Sequence, residues 1–109
     1  MWGFNMGYIK SILHEEYERL KALSDKYSAE IKALPRGSVS VKKRNKNEYL
    51  YLASRHKGKV RFEYIGPMVS EKAMAIRKKI EIRKQYENKM KQVRKDLREI
   101  EKAISGKKI

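Results

Sequence analysis

The chain has 109 residues, the length of one domain, and its 28 Lys and Arg against 13 Asp and Glu give a net charge of +15. Its 40% hydrophobic and 38% charged content suits long amphipathic helices better than a thick core, and the charge predicts attraction to polyanions. Cysteine is absent, which excludes disulfides and thiolate metal sites and fits a reducing cytoplasm.

No stretch approaches the roughly 20 apolar residues that span a bilayer. The start carries no secretory leader pattern, so a cytoplasmic protein without membrane contact is expected. Trp2 and Phe4 read as a lead-in, and Asn5 as a helix cap.

A first helix is predicted over 6–34. Met6, Leu13, Leu20, Tyr27 and Leu34 recur every seven residues, and Ile9, Tyr17, Leu23 and Ile31 fill the same broad face. Pro35 lacks a backbone donor and disfavours helical geometry at Leu34, so the helix ends there.

The next stretch changes period. Val39 and Val41, then Tyr49, Tyr51 and Ala53 against Leu50 and Leu52, then Val60, Phe62 and Tyr64 alternate every second position. Breaks at Arg44-Asn45-Lys46-Asn47 and at His56-Lys57-Gly58-Lys59 predict a three-stranded antiparallel β-meander within 38–65.

A second helix is predicted over 70–105, capped by Ser70, with Glu71 at the positive end of its dipole. Tyr86, Met90, Val93, Leu97, Ile100 and Ile104 form one stripe. Ala73, Ile76 and Ile80 form another, out of phase, with a slip near Ile82–Arg83. The first stripe to leave the cap is expected under the sheet and the later one against the first helix. The fold class is therefore α+β, one domain over 1–109: long helix, meander, long helix, the helices packed as an antiparallel coiled-coil-like pair.

Charge is unevenly shared along this order. Residues 1–34 are neutral overall, 35–66 carry +7 and 67–109 carry +8. Arg36, Lys42, Lys43, Arg44 and Lys46 gather at the first turn of the meander, and Arg55, Lys57, Lys59 and Arg61 around the second. Lysines and arginines at such density neutralise several phosphates and release counterions. A two-stranded ribbon also fits the major groove of DNA. The competing reading is that edge strands carry lysine to block sheet-to-sheet aggregation.

Arg77, Lys78, Arg83 and Lys84 extend the charge along the start of the second helix, where Glu71 and Glu81 are the only acids. Tyr49, Tyr51, Phe62 and Tyr64 are able to stack on unpaired bases. A small sheet needs a buried face, however, and cross-strand aromatic pairs commonly make one. The rings are therefore expected in the core, where Phe62→Ala would cost about 3–5 kcal/mol.

Catalytic patterns are missing. His14 and His56 are the only histidines, neither stands in a His-Glu-x-x-His spacing, and there is no glycine-rich phosphate loop. No catalytic residue, metal site or cofactor is expected.

Leu34-Pro35-Arg36-Gly37-Ser38, Tyr49-Leu50-Tyr51-Leu52, Gly58-Lys59-Val60 and Tyr64-Ile65-Gly66 together resemble a family of short uncharacterised prokaryotic proteins. Its pattern is a leading helix, an LPxGS start, a YYYL…R…GKV…YIG meander and a long charged helix, and Arg55 fits its usual arginine. The resemblance implies the fold and assigns no activity. A looser similarity is to the three-stranded N-terminal DNA-binding domains of phage integrases, which place their sheet in the major groove.

The expected function is non-enzymatic nucleic-acid binding, double-stranded DNA before RNA, through the meander turns and the start of the second helix. Two alternatives remain open. One is an interaction module, antitoxin-like or a phage-encoded inhibitor, docking on an acidic or nucleic-acid-processing protein. The other is a structural protein whose helix stripes form a homodimer.

Overall fold

The computed structural model describes residues 6–106. Trp2, Phe4 and Asn5 lie outside the described residues. Helix α1 (Met6–Ala33) is followed by strands β1 (Ser38–Arg44), β2 (Asn47–His56) and β3 (Lys59–Pro67), and by helix α2 (Glu71–Ser105). The ends of both helices and of the meander as a whole fall within two residues of the sequence expectation. The chain groups into two compact units, one of Lys32–Gln85 and one of Met1–Ile31 with Tyr86–Ile109.

The first of these holds the antiparallel sheet, in the order β1-β2-β3. Both hairpins close through two residues with positive φ, Asn45 (52°) and Lys46 (69°), then Lys57 (51°) and Gly58 (79°). Such turns match the right-handed twist of the strands they join, which is why two residues suffice. The register shifts between Leu50 and Tyr51: Leu50 faces Gly66 while Tyr51 faces Tyr64, leaving Ile65 as the extra residue of a β-bulge.

One sheet face is the core of this unit. Leu50, Leu52 and Ile65 are buried against Ala73 and Ile80 of α2, with Val39, Met68 and Ile76 packed around them. Alternation along β3 already puts Ile65 on the helix side, two residues from Glu63, the partner of Leu52. Ser70 starts α2 as expected: its Oγ accepts a hydrogen bond from the Ala73 amide at 3.2 Å and donates to the Pro67 carbonyl at 2.7 Å.

The loop between α1 and β1 is fixed from below. Arg83 donates from Nη1 to the Pro35 carbonyl at 2.6 Å and from Nη2 to the Gly37 carbonyl at 2.8 Å. Gly37 has φ +103°, and a Cβ there would sit 2.8 Å from the Ala53 carbonyl oxygen. Only glycine fits without moving backbone.

In the other unit, Leu20 and Tyr27 of the seven-residue stripe of α1 meet the later stripe of α2. Leu20, Val93 and Leu97 are buried together, flanked by Tyr17, Leu23, Tyr27 and Ile100. Tyr27 meets Tyr86 with ring centroids 5.8 Å apart, and the Ser24 hydroxyl lies 3.7 Å from the Met90 sulfur. Positions rising in α1 thus meet positions falling in α2, so the two run antiparallel. The stripes bury one another within a single chain.

Candidate functional site

The second face of the sheet has no such cover among the described residues. By register, Ser40, Tyr51 and Tyr64 lie across it in one row, Ser38, Ala53 and Phe62 in the next, and Lys42 with Tyr49 on the other side. Phe62 is 53% exposed, Tyr64 52% and Val60 52%, while Tyr49 and Tyr51 are half-buried. Tyr51 and Tyr64 meet edge to face at 5.3 Å between centroids, and Tyr49 and Tyr64 at 6.2 Å.

This corrects the expectation that the rings form the core. In a strand pair, either alternate set is able to face a covering helix. Here the aliphatic set Leu50, Leu52 and Ile65 takes that place. The aromatic set stays outside and braces itself ring against ring. Phe62→Ala therefore does not carry the core cost of about 3–5 kcal/mol.

A cation lies across the rings. Lys42 reaches from edge strand β1 so that its Nζ stands 4.7 Å from the Tyr51 centroid and 4.4 Å from that of Phe62. Beside it, a groove of 470 Å³ is lined by Lys42, Lys43, Arg44, Tyr49, Tyr51 and Tyr64. Lys46, in the turn that closes this end, is exposed.

A second cleft, of 580 Å³, opens at the opposite end of the sheet. Its walls include Arg36, Ser38, Ser54, Arg55, His56 and Val60. Lys57 and Lys59 in the adjoining turn are exposed, as is Arg61 in β3. Arg36 thus belongs with Arg55 and not, as its sequence neighbourhood suggests, with Lys42–Lys46. The reason is geometric: β1 starts beside Arg36 and carries the chain about 20 Å away before the first turn.

The cations of α2 divide. Arg77, Lys78 and Lys84 line a different groove, of 480 Å³, with Val39, Met74 and Glu81 on the helix-covered side of the sheet. Arg83 is half-buried and directs its guanidinium at the α1–β1 loop. The structure therefore brings Lys42, Lys43 and Arg44 together at one end of the ring face and Arg36 and Arg55 at the other. It keeps Arg77, Lys78 and Lys84 apart from both.

The sequence points to the four rings but not to the side of the sheet on which they stand. The signal was available in α2, whose narrow Ala73–Ile76–Ile80 stripe is wide enough to cover one sheet face only. Its remaining apolar residues match the stripe of α1, which leaves nothing in the described chain to bury a second face.

Among the described residues, no group of three or more His, Cys, Asp or Glu comes together as a metal site, and no helix is long and apolar enough to cross a membrane. Neither the curated proteins nor the solved structures contain a match to the chain. The looser similarity to phage-integrase domains gains no support from them. A family model described as a domain of unknown function, DUF6788, matches residues 13–73, from the second turn of α1 through the meander to the first turn of α2. That span is more than half of the chain, and the protein belongs to this family.

Proposed function

We propose that the protein is a non-enzymatic nucleic-acid-binding module that grips its ligand through the β-meander. The observation that carries this reading is the uncovered sheet face, where exposed rings lie between two clusters of cations and Lys42 lies across them. Cations at both ends suit a ligand with repeated charge, and the +15 net charge supplies long-range attraction to it. Rings between the cations suit a ligand whose charges alternate with flat apolar groups. Nucleic acid has both properties.

Titration of the full chain against labelled nucleic acid at rising salt tests the reading. Contacts to about six phosphates give a log–log slope of about −5 on duplex and about −4 on single strands. Replacing Lys42, Lys43, Arg44 and Lys46 with Gln should weaken binding and flatten the slope by nearly one unit per lost phosphate contact. Absence of binding to duplex and single strands alike at low salt overturns the reading and hands the surface to an acidic protein.

A further inference from the structure

We infer that the ligand of the ring face is an unpaired polynucleotide strand, whose bases stack on Tyr51, Phe62 and Tyr64 while its phosphates run to the cations at the two ends. The inference rests on the nucleic-acid reading above and specifies what that reading leaves open, the pairing state of the strand.

The first support is exposure without burial's usual purpose. Phe62 and Tyr64 stand on edge strand β3, each more than half exposed, although the helix that covers the sheet lies on the other side. Large rings left on a small sheet gain little for folding. They are positioned to meet flat partners from solvent.

The second support is geometry. The face extends from Tyr49 to Arg55 along β2, about 20 Å, and spans three strands, about 10 Å between the outer two. Four-stranded sheets in known single-strand readers stack two or three bases, and the rings here occupy a comparable strip on three strands. The two clefts lie at opposite ends of that strip, Lys42 and Arg44 at one and Arg36 and Arg55 at the other. A backbone crossing the face meets positive charge on entering and on leaving.

The third support is Lys42. Its ammonium rests over Phe62 and Tyr51, an exposed cation–π contact that is weak and readily exchanged. An arriving base takes over the ring while the ammonium moves to a phosphate. The same residue thus shields the apolar face in the free protein and neutralises charge in the complex.

Duplex DNA offers these rings nothing equivalent. Its base faces are already stacked on one another, and only edges and backbone are presented. The rings should therefore matter for single strands and be silent for duplex.

The test is fluorescence anisotropy of the full chain with labelled oligo(dT) of about twelve nucleotides and a mixed-sequence duplex of equal length, beside thermal melting. Tighter binding to oligo(dT) than to the duplex is expected. Phe62→Ala with Tyr64→Ala should lower oligo(dT) affinity by at least about tenfold, since each lost stack is worth about 5- to 150-fold. Duplex affinity should stay near wild type, while the melting temperature should fall by some degrees as Tyr64 gives up its contacts with Tyr49 and Tyr51. Phe62→Leu, which keeps apolar bulk without a ring, should also lose affinity, and Phe62→Trp should retain it. This pair decides the matter even if the double variant folds poorly.

Tighter binding to the duplex, or oligo(dT) affinity unchanged in Phe62→Leu, overturns the inference. The nucleic-acid reading then survives on its cations alone. Failure to bind either probe at low salt removes both.

Discussion

Arg83→Gln tests how the site is built. Arg83 sends one guanidinium nitrogen to the Pro35 carbonyl and another to the Gly37 carbonyl, at 2.6 and 2.8 Å. It thereby holds the loop that carries Arg36 into the cleft beside Arg55. A hydrogen bond to a charged group is worth about 1.5–3 kcal/mol, and loss of the donor leaves two carbonyls to find water in a half-buried site. For the pair together we expect about 2–4 kcal/mol, less than twice the single value because the loop is near solvent. In a domain of this size each kcal/mol moves the melting temperature by roughly 4–8 °C, so a fall of at least about 8 °C is expected by circular dichroism. Lys84→Gln, at the exposed neighbouring position, is the control and should change stability by no more than about 0.5 kcal/mol. Arg83→Lys keeps the charge but not the planar fork, and should lose most of the same stability. If Arg83→Gln melts within about 2 °C of the control, the two bonds do not hold the loop and their role here is refuted.

Two further outcomes follow from the packing. Leu20→Asp or Leu97→Asp places a charge in the buried seam between α1 and α2 and should cost several kcal/mol, a large share of a small domain's ~5–15 kcal/mol. Wild-type melting curves for both variants would put those faces in solvent. Lys46→Gly should leave the melting temperature unchanged or raised, because it relieves a left-handed lysine at φ 69° worth about 1–2 kcal/mol against the glycine's greater unfolded freedom. A clear drop in melting temperature would show that the Lys46 side chain supports the turn.

The order of elements was legible because each change of period coincides with a chemical stop. The seven-residue stripe of α1 runs into Pro35, and alternation begins only after Gly37. The slip near Ile82–Arg83 had a structural meaning as well. Ala73, Ile76 and Ile80 serve the sheet, Met90, Val93 and Leu97 are buried beyond it, and the division between the two compact units falls at Gln85 and Tyr86. Arg83, on the slip itself, belongs to neither stripe and faces the α1–β1 loop. Long-range partners of that kind leave no periodic trace, so its hydrogen bonds to Pro35 and Gly37 were not to be found by spacing.

The site was harder to read for a related reason. Alternation says that a strand has two faces and not which of them is covered. In β2 both sets are apolar, Tyr49 and Tyr51 on one side and Leu50 and Leu52 on the other, so hydrophobicity alone does not choose. Strand β1 is the deciding feature. It brings Val39 beside Leu52 on the aliphatic side, whereas it offers the ring side only Ser38, Ser40, Lys42 and Arg44. A covering helix on the ring side would have buried Lys42 and Arg44 with it, at the cost of desolvating two charges without partners. The cations on β1 and the rings on β2 and β3 are therefore exposed for one and the same reason. That shared cause puts charge and flat apolar surface side by side, the combination from which the nucleic-acid reading proceeds.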